Sequence, residues 1–140
     1  MIYRKRSEVF LRKDEKFIVG EVVRKGKKYM INAGGAVEEG ESLQDAVYRE
    51  TLEEFGIRVG NLKLVGDIKM SSSMIRRTGE GTHTFIFVGD FLSVDKSLYG
   101  SEPDTMAPRL VTKEEYIENI SKNYYWPQLN KKRLEILNKL

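Results

Sequence analysis

The sequence predicts an α/β fold, with α+β left open by pattern alone. Three observations carry that prediction. β-branched and aromatic runs separated by short turns come before one long amphipathic segment at 42–55. The strongest strand signal, THTFIFVGDFL at 82–92, comes after it. A leucine-bearing segment opened by Pro127 closes the chain. With 140 residues, 40% of them hydrophobic and 32% charged, a single soluble domain over 1–140 with a real core is expected.

Val9-Phe10-Leu11 reads as a short strand, and KFIVGEVVR at 16–24 as a second, because branched residues favour the pleated backbone. Lys25-Gly26-Lys27 is a hairpin turn. Tyr29–Asn32 resumes a strand and delivers the chain to Gly34-Gly35, read as a turn. A helix is expected from about Ser42 to Phe55. Ser42 is its N-cap, with Asp45 three residues on in a capping-box arrangement, and Gly56 its C-cap. LKLVGDI at 62–68 is a strand, SSSMIRRTGEG at 71–81 a loop, and 82–92 a strand. Ser93–Pro108 is a long irregular connection of the kind that is functional or mobile. Leu110-Val111 is a short bridge. Thr112 and Glu115 form a capping box for a helix to about Ile120. Tyr124-Tyr125-Trp126 interrupts the chain before Pro127 opens the last helix, which holds Leu129, Leu134, Ile136, Leu137 and Leu140.

The central helix carries the chemistry. At roughly 100° per residue, Glu50, Glu53 and Glu54 fall within an arc of about 100°. Leu43, Ala46 and Val47 share or border that arc, and Thr51 and Phe55 extend the apolar side. The carboxylates therefore sit at the margin of the buried face, not opposite it. Crowded carboxylates resist ionisation together. A hard divalent cation bound through oxygens compensates them most simply. The bland alternative is a solvated acidic helix laced by pairs such as Asp45–Arg49.

Gly35 to Ile57 reads GAVEEGESLQDAVYRETLEEFGI, and it fills every position of the frame G-x5-E-x7-R-E-x-x-E-E-x-G. This stretch resembles the Nudix box, the signature of hydrolases that cleave a diphosphate linked to another group. The resemblance implies an α/β/α sandwich with a mixed sheet. It implies Mg2+ or Mn2+ held by Glu50, Glu53, Glu54 and the Gly35 carbonyl, with Glu53 also the catalytic base. It implies Arg49 as the residue that orients a carboxylate, and Glu41 as a brace between loop and helix. Two positions depart from the family's habit: Ala33 stands where many members have Pro, and Thr51 where an aliphatic residue is usual. A further carboxylate after the box is expected as ligand or base. Glu102 is the first choice, with Asp104 beside it, and Glu80, Asp95 and Glu115 stay open.

Arg76 and Arg77 are candidates for clamping phosphates, against the plain reading of exposed loop charges. Tyr124, Tyr125 and Trp126 either pack a helix on the sheet or stack on a base, with Tyr125 and Trp126 the substrate-binding candidates. His83, the single histidine, is read as an ordinary strand residue.

The chain has no cysteine, which removes disulfides and thiolate metal sites. MIYRKRSEVFLRKDEK is not a signal peptide, and no stretch is long enough to cross a membrane. A cytoplasmic protein, monomer or homodimer, is expected. A net charge of +3 suits an anionic substrate without demanding a nucleic-acid partner. The segment after the box, RVGNLKLVGDIKMSSSM, lacks the proline, tyrosine and SQPWPFPxS features of the ADP-ribose, dinucleoside polyphosphate and NADH subfamilies. By elimination, (deoxy)nucleoside triphosphates lead as substrates, followed by RNA 5′ ends and nucleotide sugars. A non-catalytic nucleotide-binding module is the competing class, and a nucleic-acid-binding regulator the third.

Overall fold

The computed structural model describes residues 2–71, 80–101 and 105–140. Its elements are β1 (Ile2–Lys13), β2 (Lys16–Arg24), β3 (Lys27–Ile31), β4 (Ala33–Ala36), α1 (Leu43–Phe55), β5 (Ile57–Met70), β6 (Glu80–Val94), β7 (Arg109–Val111), α2 (Lys113–Ser121) and α3 (Pro127–Leu137). The main sheet path is β3-β2-β1-β6-β5, with β4 on β1 and β7 on β2. β1 runs parallel to β6, and the other described pairings are antiparallel, so the sheet is mixed.

Side-chain alternation along the strands builds the layers. On β1 and β6, Phe10, Ile86 and Val88 enter one core with Tyr116 and Ile120 of α2 and Leu129, Ile136 and Leu137 of α3. Val9, Leu11 and Phe87 enter the other core with Val47 and Phe55 of α1. One helix thus covers one face and two helices the other, which is the α/β/α sandwich.

Several boundaries differ from the sequence reading. β1 is twelve residues long, because its ladder with β6 runs from Ile2↔Glu80 to Arg12↔Asp90. The exposed, charged start of β1 has no apolar pattern, and partnering of its backbone groups makes it a strand. Gly34-Gly35 is not a turn. It lies in β4, paired with Glu8 and Ser7 of β1. Both hairpin turns are two-residue, with positive φ at Asp14 and Glu15 and at Lys25 and Gly26, matching the right-handed twist of the strands. Leu140 lies beyond the end of α3. Among the described residues no helix is long and apolar enough to cross a membrane.

Candidate active site

The helix that carries the acidic residues is fixed at both ends as its sequence demands. Ser42 Oγ accepts from the Asp45 N–H at 3.0 Å. Gly56 enters the left-handed region at φ 66° and closes the helix onto the Leu52 carbonyl. Ala46, Val47, Thr51, Glu54 and Phe55 are buried. Thr51 is fully buried, and its hydroxyl donates to the Val47 carbonyl at 2.7 Å, so its polar atom is satisfied within the helix and its methyl is left to pack.

Arg49 organises the acidic cluster. Its guanidinium clamps Glu41 through Nε and Nη2, at 2.8 and 3.0 Å. Nη1 donates to Glu50 at 2.9 Å and to Glu53 at 3.2 Å, and Nη2 also reaches the Ala36 carbonyl at 3.0 Å. The pair with Glu41 is bidentate and ties the loop after β4 to α1. Glu41 also accepts from the Glu38 N–H at 3.0 Å. The bond from Arg49 outweighs desolvation and holds the Glu41 carboxyl below its usual range.

Glu54 is 5% exposed and accepts from the Gly34 N–H at 2.7 Å. Gly35 lies against Glu50: a Cβ there would stand 2.5 Å from Glu50 Oε1. The glycine pair therefore lets β4 lie flat under two carboxylates, and close approach is its reason for being, not turn geometry. At Gly34 a Cβ would collide with the Ser7 carbonyl. Burial pushes the Glu50 carboxyl above its usual range. Arg49 draws it partly back, Glu53 pushes it up again, and Arg6, paired with Ala36 across β1 and β4, draws it down.

Among the described residues no three acidic or imidazole groups converge as a ready-made metal cage. The reason is visible in the bonding: Glu50 and Glu53 turn toward Arg49, and Glu54 toward Gly34. The donor set itself is all oxygen, lies within one helical turn, and contains a desolvated carboxyl that lacks full compensation. Those residues fit a hard divalent cation.

The long connection after β6 is anchored beside this helix. The Asp95 N–H donates to the Gly56 carbonyl at 2.8 Å and the Met106 N–H to the Glu54 carbonyl at 2.9 Å. Tyr99 Oη donates to the Met106 carbonyl at 2.8 Å, and Thr105 Oγ1 approaches the Glu53 carbonyl at 3.4 Å. Glu102 and Asp104, and likewise Arg76 and Arg77, lie outside the described residues. Of the other acidic candidates, Glu115 caps α2 and Asp95 binds Arg58 and Ser97. His83 sits in β6 with Nε2 2.6 Å from Asp67 and its ring stacked on Phe85. Tyr125 and Trp126 stand in the α2–α3 connection. There Tyr125 packs edge-on against Tyr29, and the Arg24 guanidinium lies over the rings of Tyr125 and Trp126.

Sequence reasoning missed a buried network on the α2/α3 face. Arg133 forms a bidentate pair with Glu8 at 2.8 and 2.6 Å. Asn32 Nδ2 donates to Glu8 at 2.6 Å, and Tyr116 Oη donates to Asn32 Oδ1 at 2.5 Å. Asn32 directly precedes β4, so the network fixes where the glycine strand begins. Glu8 and Arg133 are 125 positions apart, and no local pattern joins them.

Comparison with known proteins agrees with the geometry. The NUDIX domain model matches residues 2–128. No curated protein matches the sequence. A solved NUDIX hydrolase from Nitrosomonas europaea is similar over 98% of this chain and 89% of its own, at 20% identity and a TM-score of 0.75. An ADP compounds hydrolase is similar over 97% and 71%, at 19% identity and a TM-score of 0.75. A MutT NUDIX hydrolase from Burkholderia pseudomallei is similar over 97% and 98%, at 17% identity and a TM-score of 0.67. At such identities the structural likeness speaks for the fold, whereas the domain match runs through the box and far past it on both sides. The chain belongs to the Nudix family and is a Nudix-type pyrophosphohydrolase.

Proposed function

We propose that the protein is a metal-dependent hydrolase of (deoxy)nucleoside triphosphates, using Mg2+ or Mn2+. The single observation that carries the metal reading is the oxygen cluster of Glu50, Glu53 and Glu54 against Gly34-Gly35, locked by one arginine. Glu50, Glu53, Glu54 and the Gly35 carbonyl would hold the cation. When bound, it would neutralise the diphosphate and acidify a water molecule. Glu53 takes the proton from the attacking water. The water oxygen bonds to phosphorus, the bridging P–O bond breaks, and the displaced phosphate or pyrophosphate leaves with its electron pair. Arg49 keeps Glu50 and Glu53 in register while this happens.

Within the same reading Glu102 supplies the further carboxylate, and Arg76 and Arg77 clamp the phosphates. The whole 140-residue chain works as one cytoplasmic domain on small phosphorylated substrates. The choice of nucleoside triphosphates rests on eliminating subfamily features after the box. A panel of nucleoside triphosphates, nucleotide sugars, ADP-ribose and dinucleoside polyphosphates, assayed for phosphate and pyrophosphate release with Mg2+, tests it. Fastest release from a nucleoside triphosphate supports the proposal. Preference for a sugar- or ribose-linked diphosphate overturns the substrate while keeping the reaction class.

A further inference from the structure

We infer that the aromatic and basic patch formed by the β2–β3 hairpin and the α2–α3 connection is a binding platform for single-stranded nucleic acid. The inference stands apart from the hydrolytic reading, because none of the patch residues belongs to the acidic cluster.

The patch joins two segments that are far apart in sequence. The hairpin contributes Arg24, Lys27 and Lys28, with Tyr29 buried beneath them, and the connection contributes Tyr124, Tyr125 and Trp126. Tyr125 meets Tyr29 edge-on with centroids 5.4 Å apart, and Trp126 lies 6.2 Å from Tyr125. The Arg24 guanidinium sits 5.4 Å from the Tyr125 centroid and 5.5 Å from that of Trp126. Lys27 Nζ stands 5.6 Å over the Tyr124 ring. Cations and ring faces therefore interleave across one surface.

That surface is not explained by packing alone. Tyr124 is 80% exposed and Trp126 47% exposed. Trp126 also adopts a left-handed backbone, φ 52° and ψ 58°, which a bulky residue enters only under constraint from its surroundings. A core anchor would hide its ring in return for that strain, yet this one keeps about half its surface in water. Beside Tyr124 a cleft of about 480 Å³ is lined by Lys27, Lys28, Tyr29, Asn119 and Lys122. Lys122 is paired with Glu118 at 2.8 Å, so among the described residues the uncompensated charge of the cleft comes from the hairpin.

The chemistry selects the ligand. Exposed rings offer stacking to any base, and the cations that flank them offer charge to the phosphates between bases. A duplex hides its base faces and would use only the charge. An acidic peptide would use the lysines but leave the rings uncovered. A single strand uses both.

Trp126 is the only tryptophan in the chain, so fluorescence excited selectively at tryptophan, beyond the tyrosine band, reports on this patch. The test adds a single-stranded oligonucleotide of about eight nucleotides, within the usual site sizes, as RNA and as DNA in separate arms. The expected result is quenching of Trp126, with log affinity falling against log salt at a slope of about −2, as about three phosphate contacts from Arg24, Lys27 and Lys28 imply. Either sugar supports the platform, and the tighter arm names its natural ligand. In anisotropy titrations of labelled oligonucleotide, Trp126→Ala and Arg24→Gln should each weaken binding at least tenfold. The milder Tyr124→Ala, at an exposed ring, guards against loss of fold. Glu54→Gln should bind the oligonucleotide as the parent does, even if it loses hydrolysis. Absence of quenching at low salt overturns the inference. So does equal binding of duplex, or quenching by a free nucleoside triphosphate as strong as that by the oligonucleotide.

Discussion

Replacing Arg49 by lysine keeps the charge and removes the fork. The guanidinium makes five hydrogen bonds, two to Glu41 and one each to Glu50, Glu53 and the Ala36 carbonyl. An ammonium offers three donors on one atom and cannot span these partners, so at least two bonds are lost. Hydrogen bonds to charged groups contribute about 1.5–3 kcal/mol each. Arg49 is 22% exposed, so water recovers part of that loss, and a destabilisation of about 2–3 kcal/mol follows. The larger effect falls on turnover. Freed from Nη1, Glu50 and Glu53 shift, and a displacement on the order of 1 Å costs about 100-fold in rate. Arg49→Lys should therefore lower kcat about 100-fold with KM within about threefold of the parent, because the group lost orients carboxylates. Steady-state phosphate release with Mg2+, alongside a urea melt, measures both numbers. A raised KM at unchanged kcat would instead show that Arg49 meets the substrate.

The two glycines of β4 should respond differently to alanine. Gly35→Ala pushes a Cβ into the mobile end of Glu50, so the protein should fold and lose most of its turnover. Gly34→Ala meets the Ser7 backbone, which cannot swing aside, so its melting temperature should fall sharply; equal melting temperatures for the pair would contradict the packing described. Burial opposes the charge on Glu8, but Arg133 and Asn32 outweigh it and hold the carboxyl below its ordinary 4.5. A depressed carboxyl adds stability above pH 4.5 and loses it as the pH falls through the folded value. Glu8→Gln should accordingly cost about 3–5 kcal/mol at neutral pH, where Arg133 is left buried and unpaired, and converge on the parent in acid. A gap that stays constant from neutral pH into acid contradicts this. Glu102→Gln should lower kcat at least about tenfold, or about 1.4 kcal/mol of barrier, with Asp104→Asn milder. Unchanged turnover in both would remove that loop as the source of a further carboxylate.

Local signals were the legible ones. Ser42, Gly56, Thr112 and Glu115 act as caps because capping depends on neighbours three or four residues away. Glu50, Glu53 and Glu54 appear on one face because helical spacing alone puts them there. Glycine's freedom is a local property, and by it the Gly34-Gly35 pair reads as a turn. Its real cause is crowding by Ser7 and Glu50, contacts that only tertiary packing creates. The same holds for Ile2–Arg6, whose charged, exposed sequence becomes strand by pairing with β6. The Glu8–Asn32–Tyr116–Arg133 network draws on β1, the β3–β4 junction, α2 and α3 at once, so no window of sequence contains it. The patch around Trp126 lies between these cases. The sequence displays the three aromatics, but their cations come from a hairpin far earlier in the chain.

The central claim is that the carboxylates of α1 support hydrolysis through a divalent cation. It is tested most directly by titrating Mg2+ into chelator-stripped enzyme while recording pyrophosphate and phosphate release, with the parent and Glu53→Gln run side by side. The expected result is no turnover before metal is added, a saturable rise in the parent, and at least about 100-fold less in Glu53→Gln, the range for loss of a general base. Turnover by the parent in chelator, or a Glu53→Gln curve that overlays the parent's, would contradict it.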